Sequence, residues 1–200
     1  AAVVNAANEL GLAGFTFTTV SGRVLNVLEP KPADIALEDI ACGLARLCRY
    51  SGQIRRFYSV AEHSVWCAQE AMARYSVELG AAALMHDAAE AYVGDMVRPV
   101  KAALRSDGIA SVYDEIEADF AKAIGKRFDL LEGYDSLPEV KAIDTAACAR
   151  EMQQLRVMPK GWKPRVGPLP IGVTLTSCLA TSRPALRTTF GISRPTVLCI

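Results

Sequence analysis

Two aspartates sit where this chain can least accept a charge. Asp87 follows the apolar stretch Ala81–Ala82–Ala83–Leu84–Met85. Asp144 lies between Ala142–Ile143 and Ala146–Ala147–Cys148. An ionised carboxylate in such surroundings costs several kcal/mol unless it is paired or bound to a cation. The fold must therefore bring partners to both positions. The chain holds only two histidines, His63 in YSVAEHSV and His86 directly before Asp87. Two imidazoles and two carboxylates can hold one divalent cation and leave positions open for water and substrate. His63 and Asp144 are far from His86–Asp87 in sequence, so the site requires convergence of separate elements. Helix bundles build metal sites in this way, from inward-facing side chains.

The periodicity supplies the helices. Ile35, Leu37, Ile40, Leu44 and Leu47 predict one running to about Tyr50, with Asp34 as its N-cap. Ser59 with Glu62 three residues on is a capping-box pattern and predicts a helix to about Tyr75, placing His63 in its first turn. Ser76 caps a further helix expected to continue to about Tyr92 and to end at Gly94. Pro99 opens a short helical piece. From Ile109 to Ile124 the apolar residues recur at helical spacing opposite Asp114, Glu115, Glu117 and Asp119, an amphipathic helix. Leu137 to about Val157 forms a last helix carrying Asp144. Phe15 to Leu28, β-branched and broken at Ser21–Gly22, predicts a small hairpin. The expectation is an all-α bundle with an N-terminal hairpin, a main domain over 1–158 and an irregular extension over 159–200, where Pro, Ser and Thr replace helical periodicity. Residues 1–14 are expected to be poorly ordered.

Composition narrows the function classes. The formal net charge is zero, which gives no basis for binding a nucleic-acid polymer or an anionic membrane through bulk charge. No apolar run reaches the roughly 20 residues that span a bilayer. The N-terminal stretch lacks a positively charged lead, against a signal peptide. The six cysteines form no CxxC pair, and four sit in apolar helical stretches, so they read as reduced space-fillers in a cytoplasmic protein.

His86 and Glu90 are four residues apart and share one helix face. Glu90 is then placed close to a cation held by His86 and Asp87 but outside its ligands, a position for a general acid or base. Trp66 and Tyr92 fall at core spacing. Arg46, Arg49, Arg55, Arg56, Arg98 and Lys101 are the cations available to a phosphate chain, with Arg98 favoured among the loop residues.

From about Gly22 to Leu155 the chain resembles the HD-domain metal-dependent phosphohydrolases, whose signature is a His, a His–Asp pair and a distant Asp. The segments RYSGQIRRFYSVAEHSV and HDAAEAYVGDMVRPVK are similar to the branch acting on deoxynucleotides, which includes 5′-deoxynucleotidases and phage dATP triphosphohydrolases. The resemblance implies an HD helical bundle with His63, His86, Asp87 and Asp144 as ligands of one divalent metal ion (Mn, Co, Zn or Mg). It implies Glu90 as the carboxylate working on the attacking water, Asp95 as a second acid near the leaving group and Lys101 as a phosphate contact. Arg49–Tyr50 matches an Arg–aromatic pair that contacts phosphate and sugar; Tyr50 stands where the family usually has Trp, the ring that excludes a 2′-hydroxyl. The implied reaction is hydrolysis of a small-molecule nucleotide, foremost a dNTP to deoxynucleoside and triphosphate, with dNMP hydrolysis as the alternative. The implied assembly is a homodimer or a set of dimers. A reading of another class is a non-catalytic nucleotide sensor stabilised by its metal.

Overall fold

The computed structural model describes residues 15–106 and 110–155. The expectations for 1–14 and for the extension over 159–200 lie outside the described residues. Within them the chain is mostly helical with one two-stranded antiparallel sheet. Strands β1 (Thr16–Thr18) and β2 (Val24–Asn26) pair Phe17 with Leu25, and Gly22 turns the chain at φ +83°, a conformation open to glycine. Leu25 is fully buried. Asp39 fixes the hairpin to the helices by accepting hydrogen bonds from the backbone N–H and the hydroxyl of Ser21.

Helix α1 covers Leu37–Arg46, later and shorter than the periodicity predicts. Asp34 is not its cap: it ends a separate 3-10 turn, Pro32–Asp34. Ile35 and Ala36 are extended behind that turn, and the Ala36 cap makes no side-chain bond. The helix stops at Arg46 because the next residues bond elsewhere. Leu47 carbonyl accepts from Val60 N–H, and Cys48 bridges to Ser59. A second 3-10 turn, Arg49–Gly52, follows, with Tyr50 and Ser51 in the left-handed region at φ 58° and 51°.

Helix α2 (Val60–Arg74) opens with the expected capping box between Ser59 and Glu62. Helix α3 (Val77–Met85) starts at the Ser76 cap. The predicted single helix to Tyr92 is interrupted: α3 ends at Met85 and a short α4 covers Glu90–Val93. An unbroken helix would give the Ala83 carbonyl to the Asp87 amide, but here it receives His86 Nδ1–H at 2.7 Å. The backbone through 86–89 then closes with tighter bonds, Ala88 to Met85 and Glu90 to Asp87. Gly94, at φ +86°, ends α4 as expected. Helices α5 (Arg98–Ser106), α6 (Ala110–Phe128) and α7 (Pro138–Leu155) complete the bundle.

The core is formed by Leu25, Ile40, Leu44, Cys67, Met85, Phe120, Ile124 and Ile143, among others. Tyr92 stacks on Phe120 at 4.9 Å between centroids, and Trp66 is buried, so both aromatics are core residues. Gly43 sets how closely α1 approaches α4. A Cβ placed there would lie 2.8 Å from Ala91 Cβ and 2.9 Å from its carbonyl oxygen. Gly43→Ala should lower stability by about 1–3 kcal/mol through overpacking. Alanine's better helix propensity, about 1 kcal/mol, offsets only part of this. Urea unfolding of the variant checks it.

Candidate metal centre

Three helical segments bring the four expected ligands to one point. α2 supplies His63 from its buried first turn, the α3–α4 break supplies His86 and Asp87, and α7 supplies Asp144. His63 Nε2 lies 3.3 Å from His86 Nε2, 3.3 Å from Asp144 Oδ1 and 3.6 Å from Asp87 Oδ2. His86 Nε2 lies 3.2 Å from Asp87 Oδ2. Nitrogen and oxygen donors bound at about 2.0–2.2 Å around one cation stand roughly 3–3.5 Å apart, so these residues fit a divalent ion. The ring orientations fit as well. A carbonyl only accepts, so His86 Nδ1 carries the proton given to Ala83. His63 Nδ1 is 2.7 Å from a Glu151 carboxylate oxygen. Both Nε2 atoms therefore face the centre, held by hydrogen bonds on the far side of each ring.

The electrostatics belong to a site built for positive charge. Burial pushes the His86 imidazolium down, but Asp87 and Asp144 outweigh it and raise it to about 9. Burial pushes Asp144 up, and His63 and His86 outweigh that and hold it at about 2. Asp87 is driven below the usual carboxylate range, where His86, His63 and Arg49 together exceed the effect of burial. Without a cation the His86 imidazolium supplies part of that positive charge.

Glu90 behaves in the opposite way. Burial, then Asp87 and Asp95, push its carboxyl up to about 10. Its Oε2 is buried with no hydrogen-bond partner. Glu90 lines one cavity of about 500 Å³ together with His86, Asp87 and Asp144. Asp95, just beyond Gly94, is partly buried and is also raised, by burial first.

The expected phosphate-binding residues are distributed less simply. Arg49 is buried, with Nε on Glu151 at 3.0 Å and Nη1 on Asp87 at 3.4 Å. Tyr50 hydroxyl donates to Glu151 at 2.7 Å. Arg98 reaches the second oxygen of Asp144 at 3.0 Å from an exposed position. Lys101 bonds both oxygens of Glu117 and lies over the Tyr113 ring.

Three residues at the centre have no counterpart in the sequence-based expectation of the site. Glu151 is buried at 4% exposure and receives His63, Arg49 and Tyr50. It falls seven residues after Asp144, two helical turns along the same face, which is the signal that marks it. Cys67 is not mere filler: its Sγ lies 3.6 Å from His63 Nε2, and His63, Cys67 and His86 form a group able to hold a metal ion. Its signal is the four-residue spacing from His63. Burial first, then Asp144, Asp87 and Glu151, raise the Cys67 thiol well above its ordinary range, so the carboxylates are the readier donors to a hard cation. Cys148 Sγ–H points to Asp144 Oδ1 at 3.3 Å.

No family model matches the chain. It is 40% identical over 144 residues to the uncharacterized protein RCAP_rcc00048 of Rhodobacter capsulatus, covering 68% of this chain and 70% of that protein. It is 41% identical over 83 residues to the uncharacterized protein YfdR of Escherichia coli, covering 42% of this chain and 44% of that protein.

Proposed function

We propose a reaction for this chain, which belongs to the family of the Rhodobacter capsulatus protein RCAP_rcc00048: hydrolysis of a phosphate ester of a deoxynucleotide by an HD-type phosphohydrolase. The observation that carries the reading is the meeting of four donor atoms beside a cavity that Glu90 also lines. A site needed only for structure has no use for an additional buried carboxyl with an unpartnered oxygen.

His63, His86, Asp87 and Asp144 would hold the divalent cation. When bound, that ion supplies Lewis-acid charge to the phosphoryl group and eases deprotonation of water. Glu90 is protonated while the centre is empty; the charge of a bound cation, added to that of Arg49 and Lys101, would lower its raised pKa, and the resulting carboxylate is then placed to take the proton of the attacking water. Arg49 holds Asp87 in place and carries fixed positive charge at the edge of the centre. Asp95, partly buried and raised, is the acid assigned to the leaving oxygen.

A dATP-type triphosphate and a deoxynucleoside monophosphate are the two substrate readings, and charge pairing favours the monophosphate. Arg49, Arg98, Lys101 and Arg105 each sit on a carboxylate, namely Asp87, Asp144, Glu117 and Asp114. Asp114, Glu117 and Asp135 also line the cavity. Two cations also line the cavity, but Arg105 is paired with Asp114, so a triphosphate tail would meet three acids with Lys141 alone to offset them. Incubating deoxy- and ribonucleoside mono- and triphosphates with Mn²⁺, Co²⁺, Mg²⁺ and Zn²⁺ separates the readings. The expected result is phosphate from the deoxynucleoside monophosphate in excess of triphosphate from any dNTP. Metal-dependent melting with no turnover of any nucleotide would instead support the sensor.

A further inference from the structure

The carboxylate of Glu151 joins a candidate ligand histidine to the Arg49–Tyr50 turn, a connection made elsewhere only by the longer contact of Arg49 Nη1 with Asp87 at 3.4 Å. One oxygen, Oε1, accepts from His63 Nδ1 at 2.7 Å. The other, Oε2, accepts from Arg49 Nε at 3.0 Å and from Tyr50 hydroxyl at 2.7 Å. These donors come from α2 and from the 3-10 turn Arg49–Gly52, while Glu151 itself stands on α7 beside Leu155. The carbonyl of Leu155 accepts from Arg55 N–H beyond the same turn. The turn holds Tyr50 and Ser51 at positive φ, a conformation that non-glycine residues keep only when their surroundings enforce it. Three donors on one buried carboxylate leave it little freedom to rotate, and each bond fixes a different group.

We propose that Glu151 is the positioning residue of this site. It presents His63 Nε2 to the metal and, with its other oxygen, fixes the Arg49–Tyr50 turn, whose Arg49 also reaches Asp87. The inference rests on the metal centre of the proposed function and adds what orients it. A carboxylate, and not an amide, is required. All three neighbours donate, and an amide has only one accepting oxygen. Retention of the metal and placement of Arg49 are therefore coupled through one side chain.

Mn²⁺ binding to metal-stripped full-length protein, followed by electron paramagnetic resonance, gives a readout independent of turnover. Glu151→Gln should weaken Mn²⁺ by about 10- to 100-fold, the range found when a supporting hydrogen bond to a ligand histidine is lost. At saturating Mn²⁺ the variant should also show a raised KM for nucleotide, because the Arg49 turn is released. Glu151→Asp, which keeps the charge on a shorter stem, should fall between wild type and Glu151→Gln. It provides the measurement if the glutamine variant does not fold. A folded variant of either kind that binds Mn²⁺ with wild-type affinity overturns the proposal; a lower melting temperature with unchanged Mn²⁺ affinity would mark Glu151 as a packing residue. The two readings fail separately. Wild-type protein that binds Mn²⁺ but turns over no nucleotide removes the phosphohydrolase and leaves this role of Glu151 intact.

Discussion

Glu90→Gln should leave Mn²⁺ bound and lower kcat by about 10²- to 10⁴-fold, the range for loss of a general base. The substitution keeps the shape of the side chain and removes only its capacity to take a proton. Loss of Mn²⁺ binding in this variant would place Glu90 among the ligands and withdraw its assignment as base. A second signature appears without metal. The folded pKa of Glu90, about 10, is above its ordinary 4.5, so the native state holds a proton that the unfolded chain releases. Stability from this group is present below about pH 4.5 and is lost as pH rises toward 10. The metal-stripped wild type should therefore melt at falling temperature across that window, and Glu90→Gln should reduce the fall to the part due to His86, whose raised pKa loses stability between about pH 6.5 and 9. Melting curves of both proteins in chelator, from pH 5 to pH 9, check the sign.

His86→Ala should lose both metal and turnover. It removes a donor 3.2–3.3 Å from Asp87 and His63 and leaves the carboxylates of Asp87 and Asp144 with less compensating charge. Its Mn²⁺ affinity should fall further than in either Glu151 variant. Melting gives the magnitude. A ligand present at 100 times its Kd stabilises a protein by about 2.7 kcal/mol. Wild type should show that gain on adding Mn²⁺, and His86→Ala should show none. A variant that still gains stability from Mn²⁺ would move the ion to other donors, with Cys67 and His63 the first to test.

The parts of the molecule that follow from local rules were legible in the sequence. The Ser59–Glu62 capping box, the Ser76 cap, the Gly94 stop and the 15–28 hairpin all stand where the residues place them. The misreadings share a cause: a distant or side-chain partner overrode the local pattern. α1 ends early because Leu47 and Cys48 pair with the segment before α2. The helix through His86 breaks because an imidazole takes a backbone carbonyl. Apolar context around Asp87 and Asp144 was enough to require compensation, and the structure supplies it from His63, His86, Arg49 and Arg98. Glu151 was invisible to that reasoning because its neighbours, Arg150 and Gln153, are polar and make it look like one more residue of a solvated face. Its burial arises only when α7 packs on α2.

The 3.3 Å approach of His63 to His86 uses every histidine in the chain. Untagged protein labelled with ¹⁵N-histidine would thus give an imidazole spectrum with no background from elsewhere. Four ring-nitrogen signals would describe the whole centre: two Nδ1 atoms held by Glu151 and Ala83, and two Nε2 atoms turned inward. Zinc titration would move the second pair and leave the first protonated. Because a His63 or His86 substitution deletes one ring from the spectrum, assignment needs only those two variants. The same pair of atoms proposed to bind the ion would then report its arrival, its displacement by a competing metal, and the approach of a nucleotide.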